Sequence, residues 1–309
     1  MDTAIIIVTY NGMPWIAKCL ASCVGYKIYI VDNASIDGTP AYIQKHFNSA
    51  TLIKSNKNLG FGKANNIGIT RALKEGFKNV FLLNQDAYIV GNSILTLEKT
   101  HNSNTEFGIL SPIHLNGLGT KLDKRFAKLV AYDKNKNFYS DYVLNNQKSA
   151  IYEIPFVNAA GWYVSGDCLK NVGGFDPLFF HYGEDDNYCQ RVRFHNYKIG
   201  VVPGTFIKHD REDRLAKQPK NSDKTFFDTI ERRLKKKYAD PNENFNLHSL
   251  LKKRKQEAFR AMFKLDRKKR RVKFQEIQII EKLIPKINFS KLKAMEKAAH
   301  YLNLDEYDK

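Results

Sequence analysis

The stretch AIIIVTY, residues 4–10, is an unbroken run of apolar, largely β-branched residues that ends in groups able to hydrogen-bond. A run without polar alternation is what a strand buried on both faces of a parallel sheet requires. Working outward, residues 14–24 read as a helix, and KIYIVDN at 27–33 reads as a second strand with a polar end. TPAYIQKHF at 39–47 predicts a helix with Thr39 at its N-cap and Pro40 at its first position. TLIKS at 51–55 is a third, shorter strand, residues 65–75 form the next helix, and NVFLLNQDA at 79–87 is a fourth strand with an acidic exit. Strands alternating with helices predict an α/β fold with a mainly parallel sheet. Three of the four strands run into polar residues: Thr9-Tyr10-Asn11, Asp32-Asn33 and Asn84-Gln85-Asp86. Open parallel sheets bind ligands outside the carboxyl ends of their strands, so one site built from several loops is expected there.

Beyond this half, residues 120–153 are rich in Asn, Lys and Tyr with little period, and read as a surface excursion. Apolar structure returns in EIPFVNAAGWYVS (153–165), GGFDPLFFHYGEDDNYCQRVR (173–193) and KIGVVPGTFIKHD (198–210). After Asp213 the pattern is helical and basic, and no internal repeat occurs.

The chain has 309 residues, 43% of them hydrophobic, enough for a sizeable core. Its formal charge of +18 is uneven: the last 99 residues hold 28 of the 50 Lys and Arg but 15 of the 32 Asp and Glu. Four cysteines, Cys19, Cys23, Cys168 and Cys189, include no two close pairs that could build a zinc site. Scattered cysteines of this kind suit a reducing cytosol. The N-terminus lacks the basic region and apolar length of a secretory signal, and no stretch approaches the ~20 apolar residues of a membrane span. The expected location is the cytoplasm, with peripheral attachment at the inner face of the membrane as an option left open by the basic tail.

TYNG after the first strand, DNASIDGT after the second, NLGFGKANNIG at 58–68, NQD at 84–86 and GEDDNYCQR at 183–191 follow one another in the order seen in family-2 glycosyltransferases. Across about residues 3–212 the chain resembles these enzymes, particularly the bacterial rhamnosyltransferase-like branch. The resemblance implies a GT-A fold: a Rossmann-like mixed sheet with helices on both faces, here extended by a basic α-helical C-terminal region at 213–309. About 1–110 would bind the nucleotide sugar and about 111–212 the acceptor, with the 120–153 excursion on the acceptor side.

For the donor, the resemblance assigns Thr9, Tyr10, Asn11 and Asp32 to the nucleoside. A carboxylate such as Asp32 accepts from base N–H or ribose hydroxyl groups, whereas Asp37 in the following turn suits capping. Gly60 and Asn65 carry over to the phosphate side, where glycines let backbone approach an anion before a helix N-terminus; the same segment could instead pack the helix on the sheet. Asn84-Gln85-Asp86 stands at the family's DxD, with Asp86 as direct ligand of a hard cation, Mn²⁺ or Mg²⁺, that bridges the donor diphosphate. Asn84 departs from the first Asp, removing one charge. His209 matches a histidine near the family's diphosphate and metal.

The acceptor hydroxyl must lose a proton, so a carboxylate should lie within its reach. Asp185 is the predicted base, Glu184 would bind the acceptor or orient the base, and Asp186 is close enough to compete for either role. Tyr188 and Arg191 complete the family pattern. Trp162, and beside it Tyr163, is placed on the acceptor side, with His181 a further acceptor contact; burial is the competing account of the aromatics. The basic helices of the tail suit solvated packing, an anionic membrane surface or a homo-oligomer contact, and no specific nucleic acid is expected. The resemblance implies inverting transfer from dTDP-rhamnose or a UDP-hexose to a hydroxyl of a surface polysaccharide or lipid-linked glycan. The alternative is a non-catalytic nucleotide- or nucleic-acid-binding protein on a degenerate version of the fold.

Overall fold

A computed structural model describes residues 2–211, 223–263 and 267–304. Four strands, β1 (Thr3–Thr9), β2 (Ile28–Asp32), β3 (Thr51–Lys54) and β4 (Asn79–Asn84), run parallel in the order β3-β2-β1-β4. Beyond β4 the sheet becomes mixed, with both antiparallel and parallel pairings. It continues through β8 (Gly161–Val164), β6 (Phe107–Asn116), β9 (Lys198–His209) and β5 (Ala87–Val90), while β7 (Tyr152–Glu153) pairs with β9. The register sets Thr9 opposite Asp32 and Val8 opposite Asn84, so the polar ends of β1, β2 and β4 lie level.

The lack of alternation in β1 has a direct cause. Ala4 and Ile6 face one core, shared with α3 (Phe61–Lys74), α7 (Gly166–Val172) and α8 (Glu184–Phe194), through Ile69, Leu169 and Val192. Ile5 and Ile7 face the other, shared with α1 (Ile16–Ala21), α2 (Thr39–His46) and α4 (Ser93–Asn102), through Leu20, Ile43 and Leu97. Both faces of the strand are therefore dry.

Several expectations change in detail. Gly38, at φ 82°, occupies the N-cap of α2 and moves Thr39 to the first helical residue. The helix expected at 65–75 starts at Phe61, capped by Gly60. NVFLLNQDA is one strand and the start of another: the chain turns at Gln85-Asp86, and β5 then pairs with β9 instead of extending β4. The segment at 120–153 is not a surface excursion throughout. It holds α5 (Lys124–Leu129) and α6 (Lys136–Val143), and sinks Phe126, Val130, Phe138 and Tyr152 into the core. All four cysteines are buried and free, with Cys23 just beyond the end of α1.

Three long helices follow, α9 (Asp223–Tyr238), α10 (Leu247–Phe263) and α11 (Arg267–Met295). They share an apolar cluster of Tyr238, Leu247, Ile280, Leu283 and Ile287 that closes on Phe179 of the preceding half. Ser290 donates to Asp176 at 2.5 Å, the His195 ring lies 3.0 Å from the Ala294 carbonyl, and Leu302 enters the main core. The basic tail is thus fastened along the side of α8. The boundary expected at 212–213 lies outside the described residues.

Candidate active site

At the ends of β1 and β2, Thr9 Oγ1 donates to Asp32 Oδ1 at 3.0 Å and the Ser35 amide donates to Oδ2 at 3.1 Å. Asp32 is 2% exposed, and each of its oxygens keeps a second lone pair for a ligand. Asn11, at φ 49°, ties the two loops together: its amide donates to Ser35 Oγ and its Oδ1 accepts from the Ile36 amide, both at 2.9 Å. The Tyr10 side chain is 47% exposed beside them. Asn33, which the sequence did not single out, accepts from the Leu59 amide at 2.7 Å and donates to Asn58 Oδ1 at 3.0 Å. It locks the loop before α3 onto the end of β2.

Two residues expected at the donor are occupied by the fold. Gln85 grips the Tyr10 backbone, accepting from its amide and donating to its carbonyl. Asn65 is 1% exposed and its amide returns to the Phe61 carbonyl within α3. Gly60 is glycine for two local reasons. Its φ is 82°, and a Cβ there would lie 2.1 Å from the Phe180 carbonyl oxygen.

At the far end of β4, pairing of β5 with β9 sets Ala87 opposite His209, which brings Asp86 to the imidazole. Asp86 Oδ2 and His209 Nε2 lie 3.5 Å apart, and the two residues are 6% and 2% exposed. That spacing fits two ligands of one divalent cation at about 2.1 Å each. Asn84 Oδ1 is buried nearby in sequence with no hydrogen-bond partner. Among the described residues no group of three or more His, Cys, Asp or Glu forms a cage. Asp86 and His209 could therefore supply two ligands to a divalent cation.

Asp123 stands behind this pair, fully buried, and was missed in the sequence because it sits in the aperiodic Asn/Lys stretch. It caps α5 by accepting from the Arg125 and Phe126 amides, each at 2.9 Å, and pairs with Arg211, whose Nε is 2.7 Å from Oδ2. Burial pushes its carboxyl up, but the Arg211 guanidinium, the Phe126 amide and His209 together offset this and hold it below the usual carboxylate range. His209 Nδ1 is 3.9 Å from Asp123 Oδ2, too long for a hydrogen bond. The neighbouring His114 is pushed down to about 3 by burial and by His209, so it stays neutral.

The first turn of α8 carries Glu184, Asp185 and Asp186, entered through Tyr182 at φ 65° and Gly183 at φ 99°. Asp185 Oδ1 accepts from the Asp186 amide at 2.9 Å, and Asn158 Nδ2 lies 3.4 Å from Oδ2. Burial, then the Asp186 charge, pushes Asp185 up to about 6. Glu184 is pushed up to about 7 by burial and by Asp185, and its Oε2 has no hydrogen-bond partner. Asp186 is paired with Lys236 of α9 at 2.6 Å, which sets it apart from its neighbours.

Trp162 requires a correction. It is fully buried, 6.1 Å from Phe175 in a stacked pair, so it offers no surface to an acceptor. Tyr163 is equally buried on the other face. Tyr188 donates to the Gly173 carbonyl at 3.0 Å, and Arg191 bonds the Val172 and Gly174 carbonyls, so both secure the chain around α8. The exposed aromatics beside the carboxylates are instead Phe180 and Tyr182, at 59% and 53%, with the His181 ring tilted against Tyr182, 4.0 Å between centroids. The signal for them was the FFHY run directly before GEDD.

A parallel half with level polar strand ends, joined to a mixed half, gives the GT-A class of nucleotide-sugar transferase folds. Residues 4–144 match the sequence profile of glycosyl transferase family 2. The chain is 25% identical over 201 residues to the low-salt glycan biosynthesis hexosyltransferase Agl10 of Haloferax volcanii, a match spanning 64% of each protein. It is 24% identical over 240 residues to the N-acetylglucosaminyl-diphospho-decaprenol L-rhamnosyltransferase of Mycobacterium tuberculosis, spanning 70% of this chain and 78% of that one. In structure it is similar to the mannosyltransferase PcManGT of Pyrobaculum calidifontis, solved with GDP-Man and Mn²⁺. That likeness has a TM-score of 0.51 at 15% identity, and covers 95% of this chain and 72% of the other.

Proposed function

We propose that the protein is an inverting glycosyltransferase that moves a sugar from a nucleoside-diphosphate donor, dTDP-rhamnose or a UDP-hexose, to a hydroxyl of a glycan or lipid-linked glycan. One observation carries this reading. The level polar ends of β1, β2 and β4 lie in the same molecule as a half-buried carboxylate, Asp185, held by Asn158 and pushed up to about 6.

Asp32 and the loop held by Asn11 receive the nucleoside. Asp86 and His209 would hold Mn²⁺ or Mg²⁺, which when bound supplies positive charge to the departing diphosphate. Asp185, ionised above pH 6, accepts the proton of the acceptor hydroxyl. The new bond forms from that oxygen to the anomeric carbon as the bond to the diphosphate breaks, and single displacement inverts the centre. Phe180 and Tyr182 replace Trp162 as the aromatic surface for the acceptor sugar.

The location proposed is cytoplasmic, with the basic tail at an anionic membrane surface that would present a lipid-linked acceptor. No helix among the described residues is long and apolar enough to cross a membrane. Flotation with vesicles containing phosphatidylglycerol tests this part; equal flotation with neutral vesicles rejects it.

A calorimetric screen of sugar nucleotides, with and without Mn²⁺ or Mg²⁺, tests the main reading. Binding of one donor class, strengthened by the cation, is expected. No binding of any sugar nucleotide under either condition would overturn it.

A further inference from the structure

Lys236 reaches the catalytic turn from a helix that lies outside the resemblance read from the sequence. Its Nζ is 2.6 Å from Asp186 Oδ1, and its stem lies over Gly183, where a Cβ would come within 3.1 Å of Lys236 Cγ. The Lys236 carbonyl accepts from Gln190 Nε2 at 3.2 Å, one side of a brace completed by Asn242 Nδ2, which donates to the Gln190 carbonyl at 2.8 Å. One turn earlier on α9, the Arg232 guanidinium sits 5.4 Å from the centre of the Tyr182 ring. The same helix therefore grips the residue before Gly183, the Asp186 side chain and the middle of α8.

We propose that Lys236 is a positioning residue for Asp185: its ammonium takes up the charge of Asp186 and fixes the first turn of α8 from the C-terminal helices. Three carboxylates at adjacent positions repel one another, and a partly buried cluster of that kind resists ionisation. Of the charged groups near Asp185, Glu184 and Asp186 come from α8 itself and Lys236 from α9; Asn158 and Cys189 are its neutral neighbours. Arg232 acts on Glu184. Lys236 is the cation of this set that acts on Asp185 directly. Because Asp186 donates its backbone amide to Asp185 Oδ1, holding the Asp186 side chain also holds the bond that orients the base. Two roles of the basic tail thus separate: one lysine serves the site, whatever the rest of the charge does.

This inference rests on the reading of Asp185 as the base, but its test needs no sugar nucleotide. The Asp185 carboxyl is followed by ¹³C NMR against pH in the full chain, in the wild type, Lys236→Met, Asp186→Asn and the double variant. Lys236→Met should raise the Asp185 midpoint by about one pH unit, because it removes a cation and unmasks an anion. Asp186→Asn should lower it, and the double variant should return to the wild-type value or below. Lys236→Arg should keep the wild-type midpoint and covers the case in which the methionine variant fails to fold. Equal midpoints in the wild type and Lys236→Met, or no response to Asp186→Asn, would overturn the proposal. The acid limb of transfer should move with the midpoint. A wild type that shows these shifts yet transfers no sugar would overturn the proposed function and leave Lys236 as the residue that sets the Asp185 titration.

Discussion

Gln85 holds Tyr10 by both ends of its peptide backbone: Oε1 accepts from the Tyr10 amide at 2.9 Å and Nε2 donates to the Tyr10 carbonyl at 3.1 Å. Gln85 therefore acts as a clamp between the ends of β4 and β1, and Asp86 follows it directly. Gln85→Ala should lower stability by about 1–2 kcal/mol, the worth of two neutral hydrogen bonds at a half-buried position. Donor affinity should fall with it, since Asp86 and the Tyr10 loop lose their common anchor. Urea denaturation and donor calorimetry check both effects; full stability would show that the clamp is redundant.

Transfer should fall on the acid side with an apparent midpoint near pH 6, where Asp185 takes up its proton. The direction follows from the role: the base works as the anion, and burial followed by the Asp186 charge raises the pH needed to form it. Asp185→Asn should keep donor binding within about two-fold while reducing turnover by at least about 10²-fold. A variant that still transfers at the wild-type rate would move the base to Glu184.

Glu184 gives the opposite kind of test, on stability. Its folded value of about 7 lies above the ordinary 4.5 because burial and the Asp185 charge both oppose ionisation. The native state therefore binds the proton more tightly than the unfolded chain. The stability this group contributes is complete below about pH 4 and is lost as pH rises through 7. Glu184→Gln should then raise stability at pH 8 by about 1–3 kcal/mol, with the gain fading towards pH 5 as the wild type becomes protonated. Thermal melts at the two pH values check it, and an equal gain at both would assign the effect to packing.

The parallel half was legible because its inner strands β1, β2 and β4 are sequence-local and dry on both faces, so AIIIVTY and KIYIVDN could be read without partners. The polar exits were legible for the same reason: they follow each run directly. What escaped depended on long-range pairing. Nothing in NVFLLNQDA shows that the chain turns at Gln85-Asp86 and that Ala87 then pairs with His209, 122 residues on. Trp162 was misplaced because β8 lies between β4 and β6 with both faces covered, and a buried strand carries no alternation to show which side chains reach a surface. Asp123 was hidden by its surroundings. A buried carboxylate in a polar, aperiodic stretch looks like any solvated one until Arg211 and the α5 amides close on it.

Asp123 can be separated from Asp86 by experiment, although both carboxylates approach His209. Asp123 is fully buried, and its neighbours are an arginine and two helix amides, so its work is to hold the start of α5 and the end of β9 together. Asp123→Asn leaves Arg211 without its anion and should cost about 3 kcal/mol, the usual penalty for breaking a buried pair from one side. Its folded value lies below the ordinary one despite burial, so the stability it contributes is present above about pH 4 and is lost as pH falls through the folded value. The deficit of the variant should accordingly shrink in acid. Asp86→Asn should behave differently: the cation enhancement of donor binding should fall by at least about ten-fold, with stability changed by less than about 1 kcal/mol. Denaturation and Mn²⁺-dependent calorimetry on both variants decide the matter. If Asp123→Asn removes the cation effect while stability stays intact, Asp123 belongs with the ligands and the two-residue cation site must be redrawn around three.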